Sequence, residues 1–88
     1  MVVPEISRFF GIVIAMYYND HSPAHFHARY GALEGVISIG TGHLLAGNLP
    51  ARVLALIDEW RSMHRDELLE DWALARERRS LRHIAPLE

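Results

Sequence analysis

The chain has 88 residues, a net charge of −2 with histidine counted as neutral, and a hydrophobic fraction of 50%. This length fits one domain, residues 1–88, and the weakly acidic balance excludes binding of nucleic acid through an overall basic field. The absence of cysteine excludes disulfides and thiolate metal sites. A disulfide-free chain of this size is typical of the reducing cytoplasm. The apolar run at residues 9–18 is too short to span a membrane.

Residues 1–47 are predicted to form mainly strands. The run at residues 9–18 is β-branched and aromatic, which predicts one strand covered on both faces. Residues 25–30 and 33–39 alternate apolar and polar side chains, with Leu33 among those predicted to face inward. A Gly-Thr-Gly turn at residues 40–42 then leads into a short strand at residues 43–46. These patterns predict an antiparallel sheet of three to four strands.

Residues 48–79 are predicted to be helical. Pro50 is a start signal, and Val53, Ile57 and Trp60 recur at helical spacing. A single helix over this span would be about 45 Å long, which is too long for a domain with a radius of gyration of about 12 Å. We therefore predict a break near residues 64–66 and two helices packed on one face of the sheet, which is an α+β fold. Residues 80–88 are predicted to form a tail, docked or frayed.

Charge is distributed unevenly along the second half of the chain. Acidic residues concentrate in residues 58–71, which predicts a solvated helix face or a face that recognises a basic partner. Residues 76–82 hold four arginines against Glu77. These arginines either complement the dipole at a helix C-terminus or contact phosphate.

The distinctive chemical feature is a cluster of three histidines, His21, His25 and His27. In a strand, His25 and His27 point to the same side, with Cα atoms about 6.5–7 Å apart. Arg29 shares their face, and its planar guanidinium matches the geometry of a bound anion such as phosphate. By the same alternation, Phe26, Ala28 and Tyr30 are predicted to be more buried than His25, His27 and Arg29.

The first interpretation of this cluster is a metal site. His21, His25 and His27 would bind zinc or another divalent ion and leave a position open for water. Asp20 would be a fourth ligand or would orient an imidazole.

Two other interpretations stay open. In a metal-free site acting on phosphodiesters such as RNA, His25 and His27 would be the acid and base, Arg29 would stabilise developing charge, and Tyr18 would add a hydroxyl. In a purely structural role, the histidines would close a polar loop through hydrogen bonds to backbone carbonyls.

Several segments of the chain resemble a small bacterial family. They are ISRFFGI at residues 6–12, MYYNDH at 16–21 and HFHA at 25–28, followed by Leu49-Pro50 and Trp72. The family is the domain-of-unknown-function family numbered 4160, and the resemblance covers nearly the whole chain. The chain departs from the usual pattern at three positions, namely Ala24, Gly40 and His43.

The resemblance implies a small prokaryotic protein that is encoded beside another small protein, in pairs that look like toxin–antitoxin modules. We therefore expect a small protein partner encoded nearby, and the apolar surplus of so short a chain also favours a homodimer. The leading hypothesis is a member of a toxin–antitoxin-like pair that acts through partner binding, with RNA-directed activity at the histidine cluster. The alternative is a metal-binding domain or metal-dependent hydrolase.

Overall fold

The structure, a computed structural model, describes residues 4–88. Five strands precede two helices, and their bounds are β1 Glu5–Phe9, β2 Ile12–Ala15, β3 His25–Tyr30, β4 Leu33–Ser38, β5 Leu44–Gly47, α1 Ala51–Met63 and α2 Arg65–Arg76. The strands form one antiparallel sheet in chain order. The α+β class is therefore confirmed, but the prediction of three to four strands was wrong.

The fifth strand comes from a turn inside the apolar run at residues 9–18. Phe10 and Gly11 have φ angles of 48° and 79°, in the left-handed region that the tightest hairpin turns require. Phe9 pairs with Ile12 directly across this turn. The prediction of one continuous strand failed because the run stays apolar through the turn, whereas the Phe10 side chain is in fact exposed.

The core lies between the sheet and the helices. Trp60 of α1 is fully buried, and its ring lies 5.4 Å from that of Phe9 and 5.8 Å from that of Phe26, measured between centroids. Phe26 and Ala28 are more buried than His25, as the alternation of β3 predicted. The prediction was wrong for Tyr30, which is half-buried, whereas His25 is buried because Asp20 and the Trp72 ring cover it. Leu33 was predicted to face inward, but it is exposed because it begins β4 directly after the turn from β3.

The break between the helices falls at His64, within the predicted residues 64–66. His64 has φ −124° and ψ 24°, which is not helical, and it joins the end of α1 to the start of α2. The His64 ring nitrogen Nδ1 lies 2.6 Å from Oε1 of Glu67 in the first turn of α2. Within residues 4–88, neither helix has the length and apolar character needed to cross a bilayer.

The tail after α2 docks on the sheet rather than fraying. The backbone N–H of Ile84 donates to the carbonyl of Ile6 in β1 at 2.8 Å, and the indole N–H of Trp60 donates to the carbonyl of Ala85 at 2.8 Å. The Ile84 side chain is buried in the core. The tail therefore contributes a backbone hydrogen bond to β1, an edge strand of the sheet.

Candidate metal centre

The histidine cluster forms where β3 begins, under the loop that connects β2 to β3. His25 and His27 are the first and third residues of β3, so both side chains leave the sheet on the face opposite Phe26. His27 pairs with Ala15, the last residue of β2. The chain then loops back before β3, which brings Asp20 over the two imidazoles.

Three side chains converge at this point. Oδ2 of Asp20 lies 2.9 Å from Nε2 of His25 and 3.6 Å from Nε2 of His27. One ligand atom from each of the three residues lies within 4.8 Å of the others. A tetrahedral zinc ion holds its ligand atoms about 3.3 Å apart, given bonds of about 2.0–2.1 Å. Only 8% of the His25 side chain, 16% of His27 and 19% of Asp20 are exposed, so the three groups are withdrawn from bulk water.

The hydrogen bonds of His25 identify its tautomer. Nδ1 lies 2.6 Å from the carbonyl oxygen of Pro23. A carbonyl oxygen only accepts, so Nδ1 carries a proton and donates it. In the neutral ring, Nε2 then presents a lone pair to the Asp20 carboxylate 2.9 Å away. Two acceptors at that distance need a proton or a cation between them. Without a bound cation, a proton on Nε2 fills this role, and the charged ring then donates to Oδ2 of Asp20. A metal ion would take the place of that proton.

His27 has no hydrogen-bond partner for either ring nitrogen within residues 4–88. Its ring is packed edge-on by the ring of Tyr17, with centroids 4.2 Å apart. Burial lowers the pKa of His27 below its ordinary value. The ring is therefore neutral near pH 7, which is the form that binds metal ions.

Asp20 supplies the negative charge of the centre. Burial alone would raise the pKa of Asp20, but hydrogen bonds from the His21 backbone N–H and the His25 ring outweigh it and lower the pKa below its ordinary value. The backbone N–H of His21 donates to Oδ1 at 2.9 Å, which leaves Oδ2 directed at the two histidines. The centre thus combines one carboxylate with two imidazoles.

The other predicted site residues lie around this centre rather than in it. His21 is 93% exposed, and its Nδ1 lies 3.2 Å from Oδ1 of Asp20, whereas the other two imidazoles face Oδ2. Its ring centroid lies 6.4 Å from that of His25. Arg29 is exposed further along β3. Tyr18 is also exposed and forms no side-chain hydrogen bond within the described residues.

Sequence reasoning missed two aromatic contacts of the centre. Tyr17, and not Tyr18, packs on His27, and a signal for this existed, since Tyr17 follows Val13 and Ala15 at the two-residue period of one sheet face. Trp72 of α2 was assigned to the core and is buried, but its ring also lies 5.0 Å from that of His25. Only the tertiary structure brings α2 to that position.

Two hollows adjoin the centre. The first lies on the open face of the sheet, and its wall includes Tyr17, His27, Arg29 and Glu34. The second lies over the loop and is lined by the three converging residues together with His21, Ser22, Pro23, Val36, Leu45 and Ala46. The first hollow therefore borders the centre at His27, and the second borders all three converging residues.

Comparison with known proteins gives one match. The family described as Domain of unknown function (DUF4160) matches residues 11–73, a span that contains Asp20, His25 and His27. No curated protein and no solved structure gives a significant match to the chain.

Proposed function

Because this chain belongs to the DUF4160 family, whose description assigns no activity, we propose its function from the site itself: Asp20, His25 and His27 bind one divalent metal ion. The observation that carries this proposal is the hydrogen bond from Nδ1 of His25 to Pro23, which turns the lone pair of Nε2 toward Asp20. Histidines that ligate a metal almost always donate their other ring N–H to a carbonyl or carboxylate in this way.

Zinc is the ion that the donor set favours for hydrolytic chemistry. Two histidines and one carboxylate are a known set of catalytic zinc ligands, and the same set also binds iron(II). The chain contains no cysteine, so thiolate ligands play no part. Three protein ligands leave a position for water, and a bound zinc ion lowers the pKa of that water to about 7.

His21 is placed to move a proton in such a hydrolase. Its exposed imidazole lies beside Asp20, with Nδ1 3.2 Å from Oδ1, on the solvent side of the centre. A bound zinc ion would supply hydroxide from its water for addition to the substrate, and His21 would take up the proton released and return it to the departing group. The chain's own residues would therefore bind the ion, orient His25 and carry the proton from the water to the departing group.

Calorimetric titration of zinc into untagged, chelator-treated protein tests the proposal. We expect one site per chain, and we expect His25→Ala, His27→Ala and Asp20→Asn each to abolish it. At a free zinc concentration about 100 times Kd, the folded state gains about 2.7 kcal/mol, which raises Tm by roughly 10–20 °C in a domain of this size.

The matched control is His43→Ala, which removes an exposed histidine outside the cluster. It should bind zinc like the parent protein. Binding that survives His27→Ala, or that disappears with His43→Ala, would show that zinc sits elsewhere. An absence of heat and of any rise in Tm in the parent protein would leave the cluster with a structural role.

A second candidate function, partner binding within a toxin–antitoxin-like pair, is favoured by one observation at the β5 edge of the sheet, which borders the second hollow. All four residues of β5 are exposed and uncharged, and Leu45 is 45% exposed. Edge strands of this kind pair readily with another chain unless charge or a covering segment protects them. At the other edge, β1 is covered by the tail. The occupant we infer is a strand from the small protein encoded nearby.

Co-expression with that neighbouring gene product, followed by size-exclusion chromatography with light scattering, tests the second candidate. We expect a stable heterodimer that Leu45→Lys disrupts and Leu33→Lys, an exposed leucine of β4, leaves intact. If the chain stays monomeric beside its neighbour at high micromolar concentration, β5 is not a partner site. Self-association without the neighbour would identify a homodimer instead.

A further inference from the structure

Arginines at the end of α2 lie beside the loop that carries Asp20. The carbonyl of Ala75 accepts a hydrogen bond from the backbone N–H of Asn19 at 3.0 Å and another from that of Arg78 at 3.1 Å. Asn19 and Arg78 both have left-handed backbones, with φ 53° and 58°. A single carbonyl therefore joins the residue before Asp20 to the arginine-rich segment after α2.

The charges of this segment are available to a ligand. Arg76 and Arg78 are exposed, and within residues 4–88 neither forms an ion pair with a carboxylate. Arg76 lies in the last turn of α2, where it complements the helix dipole. Arg78 lies beyond the helix end, so the dipole does not account for it.

A further arginine lies on the other side of the centre. Arg29 lies two residues beyond His27 on the same face of β3, and both line the hollow on the open face of the sheet. Glu34 is its direct partner in β4, yet within the described residues no ion pair forms between them. The guanidinium of Arg29 is therefore free to bind an anion close to His27.

The charge balance of the centre selects the ligand class. Glu5 also lines the hollow, but its carboxylate is bound by Arg8 at 2.8 Å. A divalent ion with Asp20, Arg29 and Glu34 leaves one positive charge in excess, which matches the single negative charge of a phosphodiester. Because arginines also lie on both sides of the centre, the surface matches a polymer that carries one negative charge per repeating unit.

We propose that the surface formed by Arg29, Tyr18, Arg76 and Arg78 binds single-stranded nucleic acid and presents one phosphodiester to the metal centre. Tyr18 immediately precedes Asn19 and is 44% exposed, and an exposed aromatic side chain can stack on a base. The ligand is single-stranded because the metal ligands are buried between the loop and the sheet. A flexible single strand can bend toward them, whereas a stiff duplex cannot. This inference rests on the proposed metal site for the position of the bound phosphodiester.

Fluorescence anisotropy with the zinc-loaded full chain tests it. The probes are a labelled RNA of about 12 nucleotides, the DNA of the same sequence and the corresponding RNA duplex, each titrated between about 50 and 200 mM salt. We expect both single strands to bind, because the recognised group is the phosphodiester, and the duplex to bind at least tenfold more weakly.

Variants identify which arginines make the contacts. Each phosphate contact to a single strand contributes about 0.7 to the slope of log K against log salt, which is about fivefold in affinity at 0.1 M. Arg29→Ala should therefore lose about fivefold, and the double variant Arg76→Ala/Arg78→Ala about 25-fold, with slopes smaller by about 0.7 and 1.4. Arg65→Ala is the matched control, since Arg65 is an exposed arginine at the other end of α2, about 17 Å from Arg76.

Three results would overturn the inference. Equal binding of the duplex, or an equal loss for Arg65→Ala, would indicate general attraction of a polyanion. A zinc-loaded chain that binds no single strand would overturn this inference alone and leave the metal site standing. Conversely, single-strand binding with the expected arginine pattern in a chain that takes up no zinc would uphold the surface and refute the proposed metal function.

Discussion

The two faces of β3 carry side chains of opposite chemistry within six residues. Phe26 and Ala28 are buried under the helices, where α1, α2, the tail and four strands all contribute to one apolar core. His25 and His27 leave the other face and meet Asp20 from a single loop. The first face stabilises the fold through many apolar contacts, whereas the site on the second face is formed by a few polar side chains. Changes on the second face can therefore remove the site and leave the fold intact.

The largest effect should come from the core face. Phe26→Ala removes a fully buried ring that packs on Trp60 and should lower the free energy of unfolding by about 3–5 kcal/mol. Because small domains have a total stability of about 5–15 kcal/mol, this variant should be partly unfolded at 37 °C. Urea denaturation followed by circular dichroism measures the loss. A loss below about 1 kcal/mol would show that β3 contributes little to the core.

The two histidines should differ from each other when metal is absent. In chelator, His25→Ala should lose about 1–3 kcal/mol, because it breaks the hydrogen bonds to Pro23 and Asp20. His27→Ala should lose less than about 1 kcal/mol, because no hydrogen bond is broken within the described residues. Chemical denaturation of both variants at the same pH gives the comparison. Equal losses would mean that His27 has a structural partner.

Asp71 of α2 is a buried carboxylate with one satisfied oxygen and, in the described part of the chain, one unsatisfied oxygen. Its Oδ1 accepts the backbone N–H of Arg82, but Oδ2 is buried and has no partner within residues 4–88. Burial raises the pKa of Asp71 above its ordinary value of 3.8. The folded chain then keeps this proton at pH values where the unfolded chain has lost it, so Asp71 lowers stability as pH rises through that range.

Asp71→Asn should remove that pH dependence. We expect a gain of about 1 kcal/mol at pH 7, from relief of the buried charge, and no gain at pH 4. Denaturation curves for parent and variant at both values measure the difference, with Glu59→Gln, at an exposed acidic residue of α1, for comparison. A larger gain at pH 4 than at pH 7 would contradict the raised pKa.

The smallest effect should come from His21. Its side chain is 93% exposed, so His21→Ala should change the free energy of unfolding by no more than about 0.5 kcal/mol. The variant should still bind zinc in the titration, because the three ligands remain. A loss of zinc binding would place His21 among the ligands, as the histidine spacing alone suggested.

The regular parts of the fold were predictable because each depends on local periodicity. The alternation in residues 25–30 placed His25 and His27 on one face, and the length of the helical pattern required the break that occurs at His64. The turn at Phe10 and Gly11 was not predictable in this way. An Asn-Gly pair would have indicated a turn. The residue before Gly11 is instead a phenylalanine within an apolar run, which indicates a strand, although its backbone is left-handed in the structure.

The candidate site was predictable in its members but not in its geometry. Sequence spacing brought Asp20, His21, His25 and His27 forward as a group. It did not show that Asp20 lies at the centre or that His21 points to solvent, because both depend on the path of a loop. The contact between Trp72 and His25 depends on how α2 packs, which no local pattern encodes.

The metal content of the chain as isolated tests the central claim most directly. The protein should be purified without a histidine tag and without added metal, and divalent metals should be counted by elemental mass spectrometry for the parent protein, His27→Ala and His43→Ala. The proposed centre predicts about one ion per chain in the parent and in His43→Ala, and close to none in His27→Ala. A folded parent protein with no bound ion, both as isolated and after incubation with zinc, would contradict it.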